Sequence, residues 1–175
     1  MLTGFMGTGK SEVGRRLAER FGRPFLDTDE MVERRAGKTI ASIFAEDGEE
    51  AFRALERASI AEATGSKGAV IALGGGAVLD SGNVACLRAA GELVCLTARP
   101  ETILDRVGDV AARPLLAGCD PRAVIIRLLD ERHAAYEAAA DLTVDTSDRS
   151  VDEVVEEIRR NVVAVGCGGR WKSST

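Results

Sequence analysis

The pattern of apolar and polar positions predicts strands and helices that alternate along the chain. Short apolar runs at 1–3, 24–27, 69–73, 93–96 and 142–145 have the length of strands. Segments typical of helices lie at about 10–21, 29–36, 40–45, 48–64, 83–90, 100–106, 122–139 and 151–165. The run 69–73 is apolar throughout, as in a strand buried on both faces. This alternation predicts an α/β fold, with a parallel sheet that carries helices on both faces.

Two segments interrupt this regular order. Residues 108–121 have weak periodicity and contain Gly, Pro and Asp, which predicts a mobile lid. Residues 166–175 are small and polar, which predicts a flexible tail. We therefore expect a single domain over 1–165, a size that can bury a sizeable core.

Composition narrows the classes of function. The chain of 175 residues has a net charge of −5, which argues against nucleic acid as the main partner. No stretch approaches the roughly 18 continuous apolar residues of a membrane helix, and no signal peptide is recognisable. The four cysteines form no C-x-x-C pair, which argues against zinc and favours reduced thiols in the cytoplasm.

The most specific motif is the segment Gly-Phe-Met-Gly-Thr-Gly-Lys-Ser at 4–11. It fits the phosphate-binding loop pattern G-x-x-x-x-G-K-[ST], between an apolar run and a helix. Glycine lets the backbone N–H groups face a phosphate, and the start of the helix adds its positive dipole end. Lys10 would reach the outer phosphates, and the Ser11 hydroxyl would ligate Mg²⁺. The motif predicts binding of a nucleoside triphosphate with magnesium.

Two acids follow the second predicted strand. In open α/β sheets ligands bind beyond the carboxyl ends of strands, so Asp27 and Asp29 should face the phosphate loop. Alternation along a strand would put both on one side. Asp27 would hold Mg²⁺ through water, and Asp29 would orient or deprotonate an attacking hydroxyl. The alternative is that Asp29 only caps the next helix.

Other polar residues have both a functional and a structural interpretation. Arg53 would grip a substrate carboxylate, or be an ordinary solvated arginine of a helix. The glycines 74–76, after a buried strand, would let backbone amides approach a ligand, or form a loose turn. Arg113, in the predicted lid, would stabilise transition-state charge, or be an exposed arginine. His133 and Tyr136, the only residues of their types, are interpreted as structural.

Together these motifs resemble those of shikimate kinases, small P-loop kinases related to the nucleoside monophosphate kinases. The resembling segments run from Gly4 to about Arg149, and include Phe-Leu-Asp-Thr-Asp at 25–29, Gly-Glu-Glu-Ala-Phe-Arg at 48–53 and Arg-Pro-Leu-Leu at 113–116. Arg132 four residues before Tyr136 is a further match. The resemblance implies a three-layer P-loop kinase fold whose five-stranded parallel sheet has the order 2-3-1-4-5. It also implies transfer of the ATP γ-phosphoryl group to the 3-hydroxyl of shikimate, in aromatic amino acid biosynthesis.

The resemblance also implies a role for each matching residue. Lys10, Asp29 and Arg113 would be catalytic, and Ser11 and Asp27 would serve Mg²⁺. Shikimate would be bound by Asp29, Arg53, Gly75 and Arg132. ATP would be bound by Gly7, Thr8, Gly9, Lys10, Ser11, Glu12, Arg106, Arg113 and Arg149. The partners would be ATP and shikimate only, and the protein would be a monomer.

One feature departs from the family pattern, and three alternatives stay open. Only Met1, Leu2 and Thr3 precede the loop, which is short for the central strand of such a sheet, so we expect the natural start to lie upstream. The alternatives are a gluconate-type kinase, a non-catalytic ATP-binding module, and one domain of a larger multi-enzyme chain. Retention of Lys10, Asp27 and Asp29 argues against the non-catalytic module.

Overall fold

A computed structural model describes residues 1–107 and 120–166 of the chain, with side chains to residue 162. Five strands form one parallel sheet in the order β2-β3-β1-β4-β5. The strands are β1 (Leu2–Thr3), β2 (Phe25–Asp27), β3 (Val70–Ala72), β4 (Val94–Thr97) and β5 (Leu142–Asp145). The predicted parallel sheet and its strand order are confirmed.

Eight α-helices lie among the described residues. They are α1 (Lys10–Phe21), α2 (Thr28–Ala36), α3 (Ile40–Glu46), α4 (Gly48–Gly65), α5 (Ser81–Ala90), α6 (Pro100–Val107), α7 (Pro121–Ala139) and α8 (Val151–Gly166). Each corresponds to a predicted segment. The 3₁₀ turn Ala77–Leu79 was not predicted, because three residues are too few to show a period.

Alternate residues of the strands supply two cores, one on each face of the sheet. Ile71 and Cys95 belong to the face covered mainly by α4, α5 and α7. Val70, Val94 and Leu96 belong to the face covered by α1 and α8. Each buried side chain of this size contributes about 1.5–3 kcal/mol. The sheet is thus the middle of three layers, and its inner strands β1, β3 and β4 are buried on both sides.

The sheet register brings the functional segments together. In β1, Leu2 pairs with Ala72 of β3, and Leu2 and Thr3 pair with Val94 and Cys95 of β4. The chain beyond β1 is the glycine-rich loop, the chain beyond β2 begins at Thr28, and the chain beyond β3 is the glycine triplet. Parallel strands end at one edge, so these three segments lie side by side.

Three smaller points complete the fold. Helices α2, α3 and α4 share a separate apolar cluster of Val32, Ile43 and Phe52. Helix α7 begins at Pro121 with Asp120 as its N-cap, so the predicted lid is left with 108–119, which lie outside the described residues. In the part of the chain that is described, no helix is long and apolar enough to cross a membrane.

Candidate active site

The loop between β1 and α1 has the backbone of an anion-binding turn. Gly4, Gly7 and Gly9 have φ values of 133°, 75° and 90°, which only glycine adopts without strain. A Cβ at Gly4 would lie 2.1 Å from the carbonyl oxygen of Leu96. Gly9 is the N-cap of α1, and no side chain among the described residues caps that helix. Its first N–H groups are therefore available to bind phosphate oxygens.

The loop ends in two polar side chains, Lys10 and Ser11, of the kind that bind nucleotide phosphates and magnesium. The Nζ atom of Lys10 donates to the carbonyl oxygens of Gly4, at 2.8 Å, and Phe5, at 2.9 Å, so the ammonium folds over the loop. The Ser11 hydroxyl donates to Oδ2 of Asp27 at 2.6 Å. This bond joins the loop to the end of β2, as the sequence predicted. Because β1 and β2 both run parallel to β3, their carboxyl ends lie at one edge of the sheet, which makes this bond possible.

The strand-alternation argument for Asp27 and Asp29 is wrong in detail. Strand β2 ends at Asp27, and Asp29 lies in the first turn of α2. Asp27 is the residue that caps this helix, because its Oδ1 accepts from the backbone N–H of Asp29 at 3.0 Å. The alternative in which Asp29 is only a cap is therefore also wrong. The carboxylate of Asp29 stays available for a ligand.

Asp29 has the electrostatic setting of a proton acceptor. The pKa of Asp29 is raised from 3.8 to about 6, mainly by burial; Lys10 opposes the shift, and the nearby carboxylates of Asp27 and Glu56 add to it. A carboxyl group with a pKa near the working pH can hold and release a proton. Asp27 accepts hydrogen bonds from both the Asp29 N–H and the Ser11 hydroxyl, which places Asp29 beside the phosphate loop.

Arg53 is held by two acids of its own helix, α4. Its Nη1 donates to Oε2 of Glu56 at 2.8 Å, and its Nη2 donates to Oε1 of Glu49 at 3.1 Å. Glu56 is only 1 % exposed, and its other oxygen, Oε1, has no hydrogen-bond partner among the described residues. Burial raises the pKa of Glu56, and the bond to Arg53 opposes that shift.

Glu56 is a residue of the site that the sequence analysis missed. A signal for it exists in the sequence. Glu56 lies four residues after Phe52 and four before Ile60, so it falls on the buried face of α4. A charge on such a face needs a partner, and Arg53 stands three residues before it, within reach on a helix.

The glycine triplet after β3 lies among these side chains. The backbone N–H of Gly74 donates to the Thr28 hydroxyl at 3.0 Å. The Tyr136 hydroxyl donates to the carbonyl oxygen of Gly75 at 2.6 Å, and burial raises the pKa of Tyr136 to about 12. Arg132, one turn earlier on α7, lies with its guanidinium carbon 5.7 Å from the centre of the Phe5 ring. Tyr136 and Arg132 thus bring α7 against the glycine triplet and the phosphate loop.

The remaining predicted residues fall into three groups. Arg106 donates to the hydroxyl and the carbonyl oxygen of Thr146, at 2.9 and 2.8 Å, which ties α6 to the chain after β5. Arg149 donates to the carbonyl oxygen of Asp145 at 3.0 Å. Gly7, Thr8 and Glu12 belong to the phosphate loop and α1, and Glu12 is exposed. Arg113 lies outside the described residues.

The oxygens of Ser11 and Asp27 suit magnesium, which prefers oxygen ligands and keeps several waters. Across residues 1–107 and 120–166, no group of three or more His, Cys, Asp or Glu side chains could hold a metal ion. A magnesium ion here would therefore need phosphate oxygens as further ligands, as is usual in kinases.

Comparison with known proteins agrees with this geometry. The shikimate kinase family model matches residues 6–163. The chain belongs to the shikimate kinase family. Shikimate kinase of Thermobifida fusca is 50% identical over 166 residues, which cover 95% of each chain. Shikimate kinase of Caldanaerobacter subterraneus subsp. tengcongensis is 48% identical over 160 residues, which cover 91% of this chain and 93% of the relative.

Solved structures separate this family from other kinases of the same fold. Shikimate kinase from Acinetobacter baumannii in complex with shikimate superposes with a TM-score of 0.90 at 37% identity, over 93% of this chain and 91% of that one. A gluconokinase from Sinorhizobium meliloti has a TM-score of 0.61 at 19% identity, over 94% of this chain and 90% of that one. The second likeness shows the fold alone. It leaves the gluconate-type alternative without the support that the shikimate kinases have.

Proposed function

We propose that this protein transfers the γ-phosphoryl group of ATP to the 3-hydroxyl of shikimate, giving shikimate 3-phosphate and ADP in aromatic amino acid biosynthesis. The observation that carries the proposal is the position of the Asp29 carboxylate. It interacts electrostatically with Lys10 of the phosphate loop and with Glu56, the buried partner of Arg53. A proton acceptor thus stands between a phosphate site and a cation that suits a carboxylate.

The phosphate loop is proposed to hold ATP. Backbone N–H groups of Gly7, Thr8 and Gly9 would bind phosphate oxygens, with Lys10 as the mobile charge. Glu12 belongs to the same nucleotide segment at the start of α1. Arg106 and Arg149 would flank the adenine, which is supported by their bonds to the backbone at 145–146. Arg113 would supply a cation to the transferring phosphoryl group, from the proposed lid at 108–119.

The same proposal assigns Ser11 and Asp27 to magnesium. Bound with the nucleotide, magnesium would neutralise charge on the phosphate oxygens. The 2.6 Å bond between the two side chains supports this assignment, because it holds both oxygens at one place beside the loop.

The acceptor side is proposed to bind an anionic alcohol. The guanidinium groups of Arg53 and Arg132 would hold the carboxylate of shikimate, with a contribution from the backbone of Gly75. Asp29 would contact the shikimate hydroxyls. The hydroxyl oxygen would attack the γ-phosphorus while the bond to the bridging oxygen of ADP breaks. Asp29 would accept the hydroxyl proton, which its pKa of about 6 favours at neutral pH.

Three broader features complete the proposal. We expect one catalytic domain over 1–165; of the tail predicted at 166–175, Gly166 ends α8 and the rest lies outside the described residues. We expect a monomer that acts in the cytoplasm and needs neither nucleic acid nor a membrane. Free thiols at Cys86 and Cys95 are in keeping with a reducing compartment.

An ADP-release assay with Mg·ATP tests the proposal. The acceptors are shikimate, quinate, gluconate and a nucleoside monophosphate, each at the same concentration. We expect release that depends on shikimate. Release with gluconate alone would favour the gluconate-type kinase, and ATP binding without turnover on any acceptor would favour the non-catalytic module.

A further inference from the structure

We propose that Gly74 and Gly76 are positioning residues, because the side chains of Asp29 and Arg53 occupy the space that a Cβ at these two glycines would fill. The proposal rests on the proposed function, since it explains how the acceptor side of that site is shaped. It gives the outer glycines of the triplet separate tasks. Gly74 would set the rate of transfer through Asp29, and Gly76 would set acceptor affinity through Arg53.

The backbone at these positions does not itself require glycine. Neither Gly74 nor Gly76 is among the described residues with positive φ, and Gly76 has φ −101° and ψ −4°. An alanine adopts such angles without strain. Glycine at these positions is therefore explained by the space around each Cα, where a Cβ would meet neighbouring side chains.

At Gly74 that space holds two carboxylates. A Cβ would lie 2.5 Å from Oδ1 of Asp29 and 3.2 Å from Oε1 of Glu56. The two oxygens are thus no further apart than the sum of these distances, 5.7 Å. A contact of 2.5 Å is far below van der Waals separation, so Asp29 would have to rotate away from its position beside Lys10. The atom displaced is the end of a side chain, so the fold would survive.

At Gly76 the space holds the guanidinium of Arg53. A Cβ would lie 2.7 Å from Nη1 and 3.3 Å from Nη2 of that side chain. Nη1 is also the atom that donates to the buried Glu56. An alanine would therefore displace the Arg53 guanidinium from Glu56. The guanidinium would then no longer face the carboxylate of the acceptor in the same direction.

The middle glycine fixes the triplet in place. A Cβ at Gly75 would find its nearest atoms, the Gly4 oxygen and the Met6 nitrogen, at 3.6 Å, which is ordinary contact. The carbonyl of Gly75 accepts the 2.6 Å bond from Tyr136. Leu73, just before the triplet, donates its N–H to the carbonyl oxygen of Leu2 in β1 at 2.9 Å, so the turn is bonded to β1 on one side and to α7 on the other. The displaced groups must be the two functional side chains.

Gly74→Ala and Gly76→Ala test this inference, with Gly65→Ala as the matched control. Gly65 ends α4, has no positive φ, and offers a Cβ no neighbour within 4 Å. We expect Gly74→Ala to lower kcat about 100-fold, the usual effect of a misplacement of about 1 Å. We expect Gly76→Ala to raise the KM for shikimate about tenfold while the KM for ATP stays within about threefold. The control should match the parent protein.

Two double variants separate positioning from a general structural effect. In an Asp29→Asn background, Gly74→Ala should lower kcat by less than about threefold, because its effect acts through Asp29. In an Arg53→Ala background, Gly76→Ala should leave the KM for shikimate unchanged, because the displaced group is gone. Additive losses would overturn the inference, as would single variants that change both KM values equally. If the parent protein itself showed no shikimate-dependent ADP release, the proposed function would fail instead.

Discussion

The charge of Asp29 should make the protein less stable than its Asp29→Asn variant at neutral pH. The buried carboxyl has a pKa of about 6, against 3.8 for an exposed aspartate. Below pH 4 the group is neutral in both the folded and unfolded states. Between pH 4 and pH 6 the unfolded chain releases its proton while the folded protein retains it, so the free energy of unfolding falls as pH rises. A difference of about two pKa units corresponds to up to about 3 kcal/mol, which remains lost above pH 6.

Urea unfolding at pH 4, 6 and 8 measures this effect. We expect Asn at position 29 to raise the free energy of unfolding by up to about 3 kcal/mol at pH 8, and the gain to vanish near pH 4. The control is Asp130→Asn on the exposed side of α7, which should change stability by no more than about 0.5 kcal/mol. A gain that is absent at pH 8, or equal at all three pH values, would refute the argument that burial of this charge costs stability.

Three further predictions concern rate, acceptor affinity and packing. Asp29→Asn should keep ATP binding but lose most turnover, and the parent kcat/KM should fall with acid near pH 6, where Asp29 takes up a proton; a pH profile flat through pH 6 would exclude this role. Arg53→Ala should raise the KM for shikimate much more than that for ATP, and equal changes in steady-state kinetics would exclude the carboxylate grip. Gly14→Ala should lower the free energy of unfolding by about 1–3 kcal/mol in urea, since its Cβ would lie 2.5 Å from the Phe25 ring. The control Gly65→Ala meets no neighbour and should cost nothing, so a Gly14 variant as stable as the parent would show that the helix can move away from the sheet.

The strands, the helices and the parallel sheet were predictable because their signals are local, whereas the strand order came from the resemblance to shikimate kinases. Apolar runs such as 69–73 and the cap residues at helix ends need no knowledge of distant contacts. The site was predictable wherever a motif fixes its own geometry, as at Lys10 and Ser11. Asp29 shows the limit of this reasoning. The alternation argument assumed that the strand continues past Asp27, but the Asp27 side chain is the N-cap of α2.

Contacts between distant segments that no motif marks could not be predicted. The hydrogen bond from Tyr136 to Gly75 joins residues 61 positions apart, and no local sequence pattern links the two. Glu56 was overlooked for a different reason. Its buried position follows from helical spacing, but an acidic residue on an apolar face is readily taken for an exposed one until its partner Arg53 is considered. The crowding around Gly74 also depends on three separate segments.

The position of β3 between β1 and β2 has a consequence for folding during synthesis. During synthesis, β1 and β2 leave the ribosome before β3. They do not pair with each other, because each needs β3 as its neighbour. Their facing backbone groups must wait, solvated, until residues 70–72 have emerged, and such non-local pairing is slow. The phosphate loop and the end of β2 therefore come together only after β3 has been made.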